Sequence, residues 1–326
     1  MNKLVVSPSP HVHSGLSTTQ CMYGVLIALI PAFLVSLYYF GIDALLVTAT
    51  SVVACITFEY LIQRYLLGQR STIGDGSAIL TGVLLAFNLP ASIPLWIVVV
   101  GALFAIGIGK MAFGGIGNNI FNPALAGRIF LLISFPQQMT TWPIPAPWGI
   151  GVDGQTGATT LSILKRGNVE EIVNIDVLET LVGNAGGSFG EVSAIALIIG
   201  FLYLLWKKII TWHIPVSIIA TVFLFSFAVT ISQGWEYAII FSELQIFSGG
   251  LLLGAIFMAT DYVTSPMTPG GMLLYGVLIG IITVVIRLWG AYPEGLSFAI
   301  FIMNGVTPLI NKYMTPKRFG EVKRHG

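Results

Sequence analysis

A short polar stretch near the middle of the chain carries the side chains best suited to covalent chemistry. It reads Asp153-Gly154-Gln155-Thr156-Gly157-Ala158-Thr159. A threonine hydroxyl can form a phosphoester, and the small Gly157 and Ala158 leave room beside Thr159 for a bulky group to approach. Thr156 could stabilise a turn, and Asp153 could cap it. An ordinary polar loop would use the same residue types, since Gly, Thr and Asp are common in loops.

The chain around this stretch is strongly apolar. Of its 326 residues, 55% are hydrophobic and 9% are charged, whereas a typical soluble domain has about 25% charged residues. This composition is typical of a polytopic membrane protein. The net charge of +1 and the lack of a basic tract argue against a nucleic-acid partner.

Cysteine and histidine are too sparse to indicate a metal site. Cys21 and Cys55 lie in or beside apolar segments, without CxxC spacing. Buried thiols explain them more simply than ligands of an iron–sulfur cluster shared with another protein chain. His11 and His13 form the only close histidine pair, and both precede the first apolar segment. We therefore predict no metal.

Ten apolar segments are predicted, several of them shorter than the ~20 residues of a straight membrane span. They cover residues 23–40, 43–62, 76–90, 94–112, 119–135, 189–206, 213–232, 246–260, 272–289 and 296–313. No Ala-x-Ala cleavage site follows the first, which we interpret as a retained transmembrane helix. The third and eighth are short and adjoin polar or glycine-rich breaks, which are tolerated only where the backbone faces protein or water.

The placement of lysine and arginine predicts the orientation. With ten spans and a cytoplasmic N-terminus, eleven of these side chains fall on the cytoplasmic side, and only Lys165, Arg166 and Arg287 fall outside. Both termini are therefore expected in the cytoplasm. The loop over residues 136–188, which contains Thr159, is expected outside.

This loop divides the segments into two sets of five, within residues 1–135 and 189–326, and an odd number per set gives them opposite orientations. Residues 80–86 resemble residues 252–258, and each stretch closes a short segment that ends in a polar break. Such corresponding interruptions point to a central site in inverted-repeat membrane proteins. We therefore predict an all-α membrane protein of about ten helices in two inverted five-helix repeats, with a cytoplasmic N-terminal arm and C-terminal tail.

Several further stretches resemble motifs of one known family. They are residues 7–14, 74–82, 114–124, 183–191 and 259–266. Together with residues 153–159 they resemble the RnfD/NqrB family of redox-driven ion pump components, over nearly the whole chain. The NqrB branch usually carries an extended N-terminal region that this sequence does not show, so the resemblance favours the RnfD branch, which belongs to Rnf complexes.

The resemblance implies a covalent flavin. In this family, FMN is joined through its phosphate to the last threonine of the flavinylation motif, which corresponds here to Thr159. Asp153, Thr156, Gly157 and Ala158 complete the motif. Thr replaces the family's Ser at position 156 and keeps the hydroxyl. The family fold, with five plus five helices, is similar to that of urea transporters and agrees with the predicted topology.

The resemblance further implies one component of an ion-translocating oxidoreductase, or translocase, in the bacterial cytoplasmic (inner) membrane. Electrons from reduced ferredoxin would reach outward-facing FMN on the G and D components and return toward NAD, with riboflavin as a candidate further carrier. This flow would be coupled to export of Na⁺ or H⁺. The expected partners are the A, B, C, E and G components of the complex, the membrane lipid, and a flavin transferase during maturation.

Four polar residues in or beside the apolar segments are candidates for contacts with a flavin or an ion. Arg128 could place a cation near the flavin, or it could be a snorkelling or paired side chain. Asp261 could bind a cation through oxygen or cap a turn. Glu191 is more simply explained by the start of the sixth helix, where it would favour the helix dipole. Asn122 opens a single Asn-Pro-Ala motif, which alone does not indicate a water pore.

Two other functions would fit the same kind of fold. A urea-transporter-like solute or ion channel would have no redox role, and a structural component would only dock partners. Neither would need residues 153–159, so this stretch favours the redox function. No GxGxxG motif follows a strand pattern, and the NAD and ferredoxin sites are therefore expected on other chains of the complex.

Overall fold

The computed structural model describes residues 17–68, 71–147, 157–167, 169–173, 175, 177–183 and 186–315. Within these ranges the regular structure is helical, and no strand occurs. Four helices there are long and apolar enough to cross a membrane, or five if one bent pair forms a single span. The prediction of an all-α polytopic membrane protein is confirmed, whereas ten spans in two inverted repeats stay a prediction.

Fourteen α-helices occur in the described ranges, and α12 continues into a π-helical turn over Gly254–Met258. In chain order they are α1 (Thr18–Leu61), α2 (Ser77–Phe87), α3 (Leu95–Gly107), α4 (Pro123–Ser134), α5 (Pro136–Met139), α6 (Thr160–Arg166), α7 (Val169–Val173), α8 (Val177–Val182), α9 (Ala194–Trp206), α10 (His213–Thr230), α11 (Trp235–Phe247), α12 (Leu251–Leu253), α13 (Pro269–Trp289) and α14 (Leu296–Tyr313).

The 44 residues of α1 contain the first two predicted segments. Ser17 begins the helix with a capping box, in which its hydroxyl accepts from the Gln20 amide at 3.2 Å and the Gln20 side chain accepts from the Ser17 amide. Gly41 interrupts it, with φ 59° and ψ −136°, a conformation that glycine adopts at little cost. The kink separates the two segments where the sequence predicted a break.

One helix differs from the sequence prediction. Residues 246–260 were expected to form one segment, but α11 ends at Phe247, and α12 with its π turn follows after a bend of 58°. Most of α11 lies outside the predicted segments because Glu236, Glu243 and Gln245 interrupt its apolar run. The broken span therefore begins earlier in the chain than its apolar pattern indicates.

Small residues allow close packing where the helices cross. α1 packs against α2, α3 and α9, and α10 packs against α11 and α13. A Cβ added to Gly82 in α2 would lie 2.7 Å from the Cα of Val52, and Ser51 donates to the Gly82 carbonyl at 2.8 Å. A Cβ added to Gly200 in α9 would lie 2.3 Å from the Ala28 carbonyl oxygen. Such residues let membrane helices approach until their backbones touch.

The two short helices whose sequences resemble each other end side by side. Asn88 follows the last residue of α2, and its amide nitrogen lies 3.6 Å from the sulfur of Met258, the last residue of the π turn. Asn122, which caps the start of α4, donates to the Met258 carbonyl at 3.3 Å. Three helix ends, from distant parts of the chain, therefore meet in the interior.

Candidate functional site

Thr159 is the N-cap of α6 and is half-buried. Its hydroxyl oxygen accepts from the Ser162 amide at 3.2 Å, as threonine often does at this position. Ala158 beside it is exposed, and the Gly157 amide donates to the Trp142 carbonyl at 3.2 Å. The other two motif residues, Asp153 and Thr156, lie outside the described residues.

The helix capped by Thr159 is fixed to the membrane helices. Leu161 and Leu164 pack into a small apolar core with Ile172 of α7 and with Tyr237, Phe241 and Leu244 of α11. Lys165 donates through its ammonium group to the Gly290 carbonyl at 2.5 Å and to the Tyr292 carbonyl at 3.1 Å. The segment that carries Thr159 is therefore held against α11 and the loop after α13.

The loop over residues 186–193 lies between Thr159 and α2. A Cβ added to Gly186 would lie 3.9 Å from the Cα of Thr159 and 3.7 Å from the Ala158 carbonyl oxygen. Further along, the Gly190 amide donates to the Phe87 carbonyl at 3.2 Å, and a Cβ there would lie 2.2 Å from the Phe87 Cβ. The loop therefore requires a glycine at position 190, whereas a Cβ at position 186 would make ordinary contacts.

Arg128, in α4, is only 5% exposed. Its guanidinium forms an ion pair with Glu294, in the loop before α14, and donates to Asn88 at 2.6 Å and to the Ser297 hydroxyl at 2.7 Å. Arg128 is therefore paired within the protein, and its contact with a flavin stays a prediction. Sequence reasoning did not single out Glu294, because it lies 166 residues along the chain from its partner.

Glu191 lies near the same ion pair, with one carboxylate oxygen 3.8 Å from Arg128. It was expected in the first turn of the sixth helix, but α9 begins at Ala194 with Ser193 as its N-cap. Glu191 thus precedes the helix and is buried. Arg287 of α13 completes what we call the arginine–glutamate cluster, namely Arg128, Arg287, Glu191 and Glu294.

A second group of candidate residues lines a cavity of about 90 Å³. Asp261 follows the π turn at its wall and accepts from the Thr264 hydroxyl at 3.2 Å. Lys110, also at the wall, donates to Glu59 and to the Ser77 hydroxyl, each at 2.6 Å. Glu59 is therefore a buried partner of a lysine. None of these contacts joins Asp261 to Thr159 within the described part of the chain.

A chain of polar contacts links this cavity to the arginine–glutamate cluster. Arg128 donates to Asn88, and Asn88 lies against the Met258 sulfur. Asn122 donates to the Met258 carbonyl and lines the cavity. The three interior helix ends therefore lie between the cluster and the cavity.

Metal ligands are not clustered in the described part of the chain. No group of three His, Cys, Asp or Glu side chains there has a geometry that could hold a metal ion. Cys21 and Cys55 are both free thiols; Cys21 lines the cavity and Cys55 is fully buried. The sequence pattern, with two widely spaced cysteines, agrees with this placement.

Nearly the whole length of this chain is similar to known proteins. It belongs to the NQR2, RnfD, RnfE family, whose model matches residues 5–320. This confirms the resemblance that the six sequence motifs indicated.

Within that family, the most similar sequences carry the name of one component, the D subunit. The chain is 45% identical over 321 residues to the D subunit of the Na(+)-translocating ferredoxin:NAD(+) oxidoreductase complex of Acetobacterium woodii, covering 98% of this chain and 96% of that protein. It is 42% identical over 333 residues to the D subunit of the proton-translocating ferredoxin:NAD(+) oxidoreductase complex of Clostridium ljungdahlii, covering 98% and 97%. The similarity is therefore to complete D subunits.

Proposed function

We propose that this chain is the D subunit of an Rnf-type ferredoxin:NAD⁺ oxidoreductase and carries electrons through FMN joined to Thr159. The observation that carries the proposal is the near full-length match to D subunits. A second observation that supports it is the half-buried threonine at the predicted attachment position. As one subunit, the chain contributes a translocase component and is not a complete enzyme.

The surroundings of Thr159 fit a phosphoester. The hydroxyl oxygen accepts from Ser162, whereas its hydrogen is the atom that a phosphoryl group would replace. The neighbouring Ala158 is exposed, and Gly157 and Gly186 add no side chain beside it. A bulky group could therefore be attached without removing the capping bond of α6.

When bound, the flavin supplies the redox chemistry, and the protein supplies position and electrostatics. Lys165 and the apolar contacts of Leu161 and Leu164 hold the attachment segment in place. Fixed geometry matters because electrons must reach and leave the carrier at defined distances. Asp153 and Thr156 complete the motif that a flavin transferase would recognise.

The membrane arrangement belongs to the same proposal. Residues 1–135 and 189–326 would form two inverted five-helix repeats of urea-transporter type, with residues 136–188 outside and both termini in the bacterial cytoplasm. Two observations support this arrangement. α3 packs against α1 and α4 much as α13 packs against α10 and α14, and α2 ends beside the π turn.

The further carrier that the family resemblance implies has a candidate site at the cavity, whose volume of about 90 Å³ would have to widen to admit it. Its wall is mostly apolar, with Lys110, Asn122 and Asp261 among a few polar groups. Riboflavin is the occupant we propose. The A, B, C, E and G components would supply the ferredoxin and NAD sites and the rest of the electron path. The coupled ion is Na⁺ or H⁺, since the two relatives are named for different ions.

In-gel flavin fluorescence tests the attachment. The full chain is expressed with its flavin transferase, denatured and separated by electrophoresis. We expect a fluorescent band for the wild type and for Thr140→Ala, an exposed threonine outside the motif, and none for Thr159→Ala. Fluorescence that persists in Thr159→Ala would refute the site. A wild-type protein without flavin that conducts urea in liposomes would favour the channel function instead.

A further inference from the structure

The two carboxylates of the arginine–glutamate cluster are paired unequally. Glu294 binds the Arg128 guanidinium directly and accepts from the Gly250 amide at 3.2 Å. Glu191 has only the 3.8 Å contact with Arg128, and its Oε1 has no hydrogen-bond partner among the described residues. Glu191 is nevertheless only 7% exposed. A buried carboxylate oxygen without a partner is costly when the group is charged.

The two carboxylates also lie close together. A Cβ added to Gly250 would be 2.4 Å from Oε1 of Glu294 and 2.5 Å from Oε1 of Glu191. Two like charges that share one site repel each other, so a further negative charge nearby favours protonation of one of them. Glu294 has the direct bonds to a cation. Glu191 is therefore the carboxylate whose protonation responds more to such a charge.

The other charged groups around Glu191 do not replace that proton. Arg287, on α13, donates to the Gln245 carbonyl at 2.5 Å, to the Gln245 side chain at 2.9 Å and to the Ser248 carbonyl at 3.4 Å. Lys165, on α6, is bound to main-chain carbonyls of the loop before Glu294. Lys165 and both terminal nitrogens of Arg287 are thus bound elsewhere, and Arg128 binds Glu294 more closely than Glu191. The Nε of Arg287 has no hydrogen-bond partner among the described residues.

Glu191 opens onto a small polar cavity that adjoins the attachment site. The cavity has a volume of about 10 Å³, close to the space that one water molecule needs, and is lined by Gly186, Ser188, Glu191, Ser248 and neighbouring residues. The Ser188 hydroxyl is fully buried and also lacks a partner among the described residues. Gly186, which forms part of the cavity wall, also lies next to Thr159. Glu191 and Thr159 are therefore separated by one loop.

We propose that Glu191 takes up a proton when the flavin on Thr159 is reduced and releases it on reoxidation. Electrons come from the preceding carrier or, in the experiment below, from dithionite. An O–H bond forms on Glu191 with a proton from water, offsetting part of the negative charge that arrives nearby, and the same bond breaks when the electrons leave. This inference rests on the proposed attachment of FMN at Thr159.

Infrared difference spectra of the purified, flavin-loaded chain, recorded on reduction by dithionite in H₂O and in D₂O, test this role. We expect the band of a protonated carboxyl group to appear on reduction and to shift in D₂O. Glu191→Gln should abolish the band while flavin loading stays at the wild-type level. Glu236→Gln, which alters an exposed carboxylate at the start of α11, should keep it.

Ser188→Ala gives a second measurement that retains Glu191. Removing the neighbouring hydroxyl should move the carboxyl band to a different frequency. A band that persists in Glu191→Gln, an unshifted band in Ser188→Ala, or no band in a flavin-loaded wild type would overturn the proposal. So would a reduction potential that depends on Na⁺ in the absence of a carboxyl band. Failure of FMN attachment would be recognised separately, as missing in-gel fluorescence.

Discussion

The side-chain amide of Asn122 donates to the main-chain oxygen of Met258, 3.3 Å away and 136 residues later in the chain. The same side chain accepts from the amides of Ala124 and Leu125 and so begins α4. One asparagine therefore caps a helix in the first half of the chain and ties it to the interrupted helix of the second half.

The two roles of Asn122 can be separated by mutation. Asn122→Ala should lose both and destabilise the chain by about 1–3 kcal/mol, the sum expected for an N-cap and a buried hydrogen bond. Asn122→Ser should keep the cap but cannot reach Met258, so its loss should be smaller. Thermal unfolding in detergent measures both. Asn118→Ala, which changes an exposed neighbour, is the control. Equal losses of stability in Asn122→Ala and Asn122→Ser would contradict the separation of the two roles.

The ion pair of Arg128 and Glu294 should show strong coupling. Arg128→Gln leaves a partly buried carboxylate without its cation and should cost about 3–5 kcal/mol. The double variant Arg128→Gln with Glu294→Gln should recover part of this loss, because position 294 then carries no charge and only Glu191 remains without Arg128. Chemical or thermal unfolding of the four proteins gives the coupling energy. Arg166→Gln, which changes an exposed arginine, should leave the free energy of unfolding nearly unchanged. Additive losses of stability in the double variant would refute the pairing of Arg128 with Glu294.

Two glycines in one loop should respond differently to the same change. A Cβ at Gly190 would lie 2.2 Å from the Cβ of Phe87, whereas nothing lies within 4 Å of one at Gly187. Gly190→Ala must push the loop away from α2 and should cost about 1–3 kcal/mol, as overpacking does. Gly187→Ala should be tolerated. Thermal unfolding and in-gel flavin fluorescence, measured on both, check the stability and the effect on FMN loading.

The two cysteines should differ in reactivity. Cys21 is partly exposed and lines the cavity of about 90 Å³, whereas Cys55 is fully buried. Access governs thiol labelling, so a maleimide should modify the folded chain at one position. Mass spectrometry should find the label on wild type and on Cys55→Ser, but not on Cys21→Ser. Labelling of Cys55 in the folded chain would show that the interior near α2 is open.

Apolar runs and local caps were sufficient to predict much of the helical pattern. α10, α13 and α14 lie close to their predicted segments, and the kink at Gly41 falls between the first two. α11 was largely missed because Glu236 and Glu243 interrupt its apolar pattern, although tertiary packing holds it as a helix.

The attachment of FMN at Thr159 stays a prediction, and it could be made because a motif is local in the chain. The arginine–glutamate cluster could not, since its four members lie on different elements and meet only in the folded protein. Arg128 was recognised as costly at membrane depth, but nothing near it in the sequence identifies Glu294 as its partner. The buried position of Glu191 depends likewise on where α9 begins.

Lys165 is bound to the carbonyls of Gly290 and Tyr292, and Glu294 follows in the same short loop. The helix capped by Thr159 and the half-buried partner of Arg128 are thus connected through the five consecutive residues 290–294. A displacement of α6, whether by a docking protein or by a group attached at Thr159, would therefore act directly on that loop. Through the loop it would reach Glu294 and the rest of the arginine–glutamate cluster.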